Sequence, residues 1–271
     1  MLKAFIRHVL LLIGAVAMLA PFVVMISISL KPANEIFAPH FQFLPTHWAA
    51  ISNYHEAFTR IPLARFMLNG LIVTAAIFFF QALFALPAAY ALAKLRWRGR
   101  DTSFALVLLA LLIPPQVPAI PLYIGLWQLN LLDTYAALII PSMISVFGIF
   151  LMRQFFRTVP SDLIHAARID GLSEFSIVWR IMLPSAIPAL SAFGVLSFIT
   201  HWNDYFWPRI ALQHDYLATP PLGISFFASI EAGSNFGPLM AAACVCTVPL
   251  TIAFLLAQRT FIQGVTMTGV K

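Results

Sequence analysis

The chain has 271 residues, of which 61% are hydrophobic and 10% charged, with 16 Lys and Arg against 10 Asp and Glu. Charge this sparse cannot cover a soluble globule, so the composition reads as a polytopic membrane protein. The net charge of +6 comes without a basic run interleaved with aromatics outside the apolar segments. That excludes nucleic acid as a partner and makes the excess cations topology signals instead.

Six segments are apolar over the roughly 20 residues that a membrane crossing needs. The first, Val9 to Leu30, follows Lys3 and Arg7 and imitates a signal peptide, with Ala15 and Ala17 resembling a cleavage site. Its apolar run is too long for a signal core and reads as an uncleaved helix. A polar, Pro-punctuated stretch from Lys31 to about Phe66 follows, with a helical patch at Ser52 to Thr59. The second crossing is Met67 to Ala93, closed by the basic cluster Lys94 to Arg100, which reads as a topology anchor. Phe104 to about Trp127 is the third crossing and carries Pro114, Pro115, Pro118 and Pro121. Each proline removes a backbone donor. The alternatives are generic bundle packing and a broken helix lining a cavity, and four prolines in eight residues favour the second.

Tyr135 to Met152 forms the fourth crossing, and a charged stretch, Arg153 to Ala189, separates it from the fifth, Leu190 to about Ile210. After Gln213 to Gly237, rich in Gly, Pro and aromatics, Pro238 to Ala257 is the sixth. With the N-terminus inside, twelve cations fall on the cytoplasmic side: Lys3, Arg7, Lys94, Arg96, Arg98, Arg100, Arg153, Arg157, Arg168, Arg180, Arg259 and Lys271. Lys31, Arg60, Arg65 and Arg209 fall outside, so both termini are placed in the cytoplasm.

The stretch Leu163 to Leu190 is the exception in this lipid-soluble chain, carrying Arg168, Asp170, Glu174 and Arg180 between two apolar segments. Ser161 is positioned to cap a first helix and Asp162 to favour its N-terminus. Gly171 after Asp170 supplies a left-handed stop. Ser173 recaps a second helix that is expected to end before Pro184. Ala166 and Ala167 leave little bulk, which lets the first helix sink into a partner's groove. Phe175, Val178 and Met182, with Ile177 and Ile181 adjacent, are expected on the face of the second helix that packs on the chain's own core. The bland alternative is a loop helix lying at the membrane surface.

Chemistry within this chain has little support. Cys244 and Cys246 lie in an apolar segment and read as inert thiols, and the seven histidines show no metal-binding spacing. None of the four lysines, Lys3, Lys31, Lys94 and Lys271, stands in a GxxxxGK[ST] loop, so an ATPase would have to be a separate chain. His201, Trp202, Asn203, Asp204, Tyr205, Trp207 and Arg209 cluster at the outer part of the fifth segment. They read either as a translocation path suited to sugar hydroxyls or as an interfacial aromatic belt with structural pairing of Asp204. A membrane enzyme would have only His201 and Asp204 as an acid–base pair.

The residues Ala166 to Gly171, AARIDG, followed by a Phe-containing helix and by LPSAIPAL (Leu183 to Leu190), resemble the cytoplasmic loop signature of binding-protein-dependent ABC importer permeases. SLKPANEIF from Ser29, NYHEAFTR from Asn53, LNG from Leu68, FLMRQFF from Phe150 and WNDYFWP from Trp202 resemble carbohydrate-type permeases of the maltose-transporter group. QRTFIQGVTMTGVK, from Gln258, resembles that group's second permease subunit. The resemblance implies an all-α permease of the type I ABC importer fold with six transmembrane helices in a bacterial inner membrane. Its partners would be a second homologous permease subunit, a dimeric ATPase that binds ATP and Mg, an external solute-binding protein, a sugar-type substrate and membrane lipid. No cofactor is implied in this chain.

By the same resemblance the ATPase-coupling residues are His165, Ala166, Ala167, Asp170, Gly171 and Pro184. The family usually has Glu where this chain has His165, which implies a compensating change in the ATPase groove. Gly264, Thr266, Thr268 and Gly269 of the tail would reach the ATPase, against the default of an inert terminus. The implied division is 1–66 (first helix and external loop), 67–258 (core with coupling loop 153–189) and 259–271 (tail). The alternative is a secondary transporter or channel without an ATPase; the middle segments hold almost none of the charges that ion coupling would need.

Overall fold

A computed structural model describes residues 2–38, 42–230 and 236–266, with side chains for all of these except 2–4, 226–230 and 257–266. The described chain is helical: α1 (Leu2–Ser29), α2 (Ala33–Ile36), α3 (Ala50–Thr59), α4 (Leu63–Lys94), α5 (Arg100–Ala110), α6 (Ala119–Gln128), α7 (Tyr135–Ile139) and α8 (Val146–Thr158) come first. They are followed by α9 (Ser161–Ile169), α10 (Glu174–Ile177), α11 (Leu183–Ser185), α12 (Ile187–Trp202), α13 (Phe206–Ala211), α14 (Pro220–Ile230) and α15 (Phe236–Thr266). The expectation of an all-α membrane fold holds.

The expected crossings differ in their continuity. Among the described residues three helices are long and apolar enough to span unbroken, within α1, α4 and α15. By length and composition two bent pairs, α7 with α8 (44°) and the 174–185 helix with α12 (83°), would bring the number to at most five if each were one span. The third predicted crossing is instead two short helices, α5 and α6, separated by a non-helical stretch holding Pro114, Pro115 and Pro118. Consecutive missing donors and ring clashes stop the helix there. Residues 111–117 are all exposed, so the break does not line an enclosed cavity of this chain. Pro21, Pro87 and Pro249 sit inside α1, α4 and α15 without ending them.

The chain divides into two compact units. In the first, Met1–Met67 with Pro220–Pro249, polar side chains staple segment 30–62 to the end of α1. Asn53 Nδ2 donates to the Ser29 and Lys31 carbonyls, each at 2.9 Å, and the Lys31 ammonium donates to the Gln42 carbonyl. Glu35 accepts the amides of Thr46 and His47 and pairs with the His47 ring. Burial opposes the charge on Glu35, yet these donors hold its carboxyl below the usual range.

In the second unit, Leu68–Thr219 with Leu250–Lys271, the core joins Leu86, Ala89 and Tyr90 of α4, Met152 and Phe156 of α8, Ile164 and Ala167 of α9, and Ile177, Val178, Met182 and Ala186. Helix α8 packs closely on α12 at Gly148, where an added Cβ would lie 2.5 Å from the Phe193 ring. Asn69 ties α4 to the short 3-10 turn at Asp215–Leu217 through the Tyr216 and Ala218 carbonyls and accepts from the Tyr135 hydroxyl.

Candidate functional site

The stretch singled out in the sequence forms a helix pair, but its details differ from expectation in three ways. Helix α9 is capped by Pro160, with no side-chain bond from Ser161. The second helix does not stop before Pro184: after α10 it widens into a π turn over Val178–Met182 and continues through Pro184 to Ser185. The wider turn relieves the clash that a proline ring makes with the carbonyl of an ordinary helical turn. Phe175 is 65% exposed rather than buried. The expected Val178 and Met182 do face the core, with Ile177 and Ala186 beside them, because a π turn sets the inward positions four to five residues apart.

Two expectations hold. Gly171 has φ +79° with open space around it, and its amide bonds to the Arg168 carbonyl. It is the left-handed residue that closes α9. Ser173 caps α10 by accepting the Ser176 amide at 3.3 Å.

The two alanines point in opposite directions. Ala167 is buried beside Ile164, so it packs on this chain's own core and is unavailable to a partner. Asp162, His165, Ala166 and Ile169 recur at the spacing of one helical face, and all four are exposed, Ile169 to 87%. Asp170 and Gly171 extend this face. Neither the His165 nor the Asp170 side chain has a hydrogen-bond or ion-pair partner among the described residues.

What holds this face is partly invisible in the sequence. Arg168, in the last turn of α9, grips Glu174 at 2.7 and 3.3 Å, and Glu174 also accepts from the Tyr90 hydroxyl of α4 at 2.5 Å. The Arg168 guanidinium, aided by Tyr90, holds the Glu174 carboxyl below the usual carboxylate range, and Glu174 in turn raises Arg168. Lys94, read as a topology anchor, also donates to the Val159 carbonyl at 2.5 Å and fixes the turn between α8 and α9.

Magnitudes separate the roles. A half-exposed ion pair contributes about 0.2–1 kcal/mol, whereas burying Ile164 contributes about 1.5–3 kcal/mol. Apolar burial therefore docks α9, and the ion pair sets its angle to α10. The i, i+6 spacing of Arg168 and Glu174 across a Gly stop was the available signal for that pair.

The polar cluster after α12 is used differently. Trp202 is buried, and Trp207 donates its Nε1 to the Ala137 carbonyl at 2.8 Å. Asp204 accepts the Trp207 amide and so caps α13, while His201 meets Gln81 at 3.0 Å. Gln81 also bonds Ser197 and the Ser142 carbonyl, joining α4, α12 and the bend before α8. Of the five residues of the expected path, only Asn203 is exposed, with its amide on the Ile199 carbonyl.

For the tail, the backbone at Gly264 and Thr266 continues α15, and Thr268 and Gly269 lie outside the described residues.

The described chain is thus a membrane scaffold of continuous and bent helices that carries one exposed, rigidly mounted helix face. Residues 81–267 match the family model described as binding-protein-dependent transport system inner membrane component, and the chain belongs to that family. It is 36% identical over 203 residues to the arabinooligosaccharides transport system permease protein AraQ of Halalkalibacterium halodurans, covering 75% of this chain and 72% of that protein. It is 33% identical over 263 residues to the sn-glycerol-3-phosphate transport system permease protein UgpE of Yersinia pestis, covering 95% and 94%. In structure it resembles a chain of a bacterial ABC transporter involved in the import of the acidic polysaccharide alginate, with TM-score 0.82, 24% identity and coverage of 95% and 96%.

The protein is thus a multi-pass inner-membrane permease subunit of a binding-protein-dependent ABC importer. In this family ATP hydrolysis resides in a partner subunit and the permease carries no cofactor. That membership sets aside a channel or secondary transporter working without an ATPase.

Proposed function

We propose that this subunit imports a sugar or sugar derivative and couples that import to a cytoplasmic ATPase dimer through the face formed by His165, Ala166, Asp170 and Gly171. Ala167 holds the face from behind and Pro184 sits in the π-widened helix that mounts it. The observation that carries the reading is an exposed face without side-chain partners among the described residues, on a helix whose opposite side is locked into the core. Such a mount passes a push from below into α4 and α8 as a rigid body. ATP binding drives the change of access only through its preference for one state over the other. His165, in place of the usual carboxylate, pairs with an altered ATPase groove.

The wider reading follows from the relatives, whose names specify arabinooligosaccharides and sn-glycerol-3-phosphate. The subunit pairs with a second homologous permease and receives its cargo from an external binding protein. It crosses the membrane six times with both termini in the cytoplasm, in the division 1–66, 67–258 and 259–271. The translocation path runs beside the 201–207 segment: Asn203 faces it, and His201, Trp202, Asp204 and Trp207 hold its wall. The tail residues Gly264, Thr266, Thr268 and Gly269 meet the ATPase.

The test is retention of the ATPase during purification. Ala166→Arg, at an exposed position, is expected to lose the ATPase by about tenfold or more with unchanged thermal stability; normal retention would overturn the assignment of the face. In the same assay His165→Glu is expected to lower transport, and a rise in transport with unchanged assembly would show that no compensating groove exists. Removing 264–271 is expected to leave ATP hydrolysis running without transport, and intact coupling would sink the tail's role.

A further inference from the structure

Segment 30–62 of the first unit has its polarity reversed. Lys31 and Asn53 are 3% and 4% exposed, and the Glu35 carboxylate is largely covered, whereas Leu44 and Trp48 are each 68% exposed and Ile51 is 90% exposed. On α3, Ile51, His55 and Phe58 share one exposed face at helical spacing, and Asn53 and Ala57 occupy the buried one. A water-facing helix would carry the opposite pattern. The outward face also carries no unpaired carboxylate: Glu56 is paired with Arg60 one helical turn on.

The depth of this helix is fixed at both ends. Asn53 bonds the carbonyls of Ser29 and Lys31, at the last turn of the membrane-spanning α1, and Ser29 also meets the Tyr54 hydroxyl. Only residues 60–62 separate the end of α3 from Leu63, where α4 begins its own crossing. A helix pinned to the end of one span and the start of the next lies at the level where the bilayer meets water. The exposed apolar surface of α1, which reaches Ile26, leads directly to it. Short amphipathic helices at that level seat apolar side chains at the boundary between headgroups and acyl chains, and tryptophan prefers the same depth.

We propose that α3 and the residues leading into it form an interfacial anchor, with Trp48, Ile51 and Phe58 seated in the lipid at the surface where α1 ends. The polar staples from Lys31, Glu35 and Asn53 hold the segment flat by taking up its backbone groups on the inner side. The anchor goes beyond the coupling assignment and stands whether or not His165 and Ala166 meet an ATPase.

The test uses the transporter as purified with its partner chains, in nanodiscs of phosphatidylglycerol and phosphatidylethanolamine. The emission of Trp48 is obtained as the difference between the native protein and Trp48→Phe, a change at an exposed position. Lipid brominated near the headgroup is expected to remove most of this emission, iodide in the water to remove little, and added binding protein to change neither. Ile51→Asp is expected to weaken the lipid quenching. Three results would overturn the proposal. Dominant quenching by iodide would make the face aqueous, and shielding that arises only with binding protein would make it that protein's docking site. Shielding that persists when lipid is replaced by amphipol would mean that another chain of the complex covers the face.

Discussion

The helix pair at 161–185 and the polar cluster at 201–207 attract notice for the same reason, polar and aromatic residues in an apolar chain, yet the structure uses them in opposite ways. In the pair, the His165, Ala166 and Asp170 side chains point outward with nothing among the described residues to bind, while their neighbours Ile164 and Ala167 clamp the helix from behind. In the cluster the conspicuous side chains are taken up internally: Trp207 by the Ala137 carbonyl, Asp204 by the start of α13, His201 by Gln81. A polar group already satisfied within its own chain has little left to offer a ligand, because its desolvation is already compensated. An exposed group on a rigid mount has that capacity intact.

The sharpest way to break this contrast is to exchange the two alanines' fates. Ala167→Trp forces a large ring into the core beside Met152, Phe156 and Met182 and is expected to cost about 1–3 kcal/mol or more, read as a lowered Tm or loss of protein from the membrane. The exposed Ala166→Arg leaves Tm in place. Equal losses of Tm in both variants would erase the distinction between an inner and an outer face.

Next in size, Trp207→Phe keeps the ring and removes the donor to the buried Ala137 carbonyl. The expected loss is about 1–3 kcal/mol in thermal unfolding, with substrate selectivity unchanged. Altered selectivity at full stability would instead make Trp207 part of the translocation path.

The smallest effect is expected at Glu174. Glu174→Gln removes the half-exposed pair with Arg168, for a loss of about 0.2–1 kcal/mol at neutral pH. Because the folded carboxyl is held below its ordinary value, its contribution is complete above about pH 4.5 and is lost as pH falls through the folded value. The variant's stability is therefore expected to converge on that of the native protein in acid. A difference that stays constant from pH 7 to pH 3 would show that the carboxylate's charge is not what holds α9 to α10.

Much of this was legible in the chain itself. Hydropathy located the apolar segments, the Asp170-Gly171 stop and the Ser173 cap located the helix pair, and the motif around Ala166 pointed to the permease family. Four prolines in the third segment announced a break, and the structure places one there. Less legible were the inward positions of the second helix. They follow a π turn, and no local propensity distinguishes an i to i+5 turn from an ordinary one before the core is packed. Lys94 shows another limit: its charge suggested only topology, while its bond to the Val159 carbonyl depends on α4 and the α8–α9 turn meeting in space.

By itself the sequence determined that the chain lives in a membrane, that it is helical, and that it carries one charged helix pair between apolar segments. These follow from composition, spacing and punctuation, which are local along the chain. Only the tertiary structure decided which face of that pair is free and which polar residues are already satisfied. It also decided that Tyr90, 84 positions from Glu174, completes the Arg168–Glu174 latch. Those outcomes rest on contacts between segments far apart in sequence, and a side chain's availability is fixed only once its neighbours in space have taken their share of its bonds and surface.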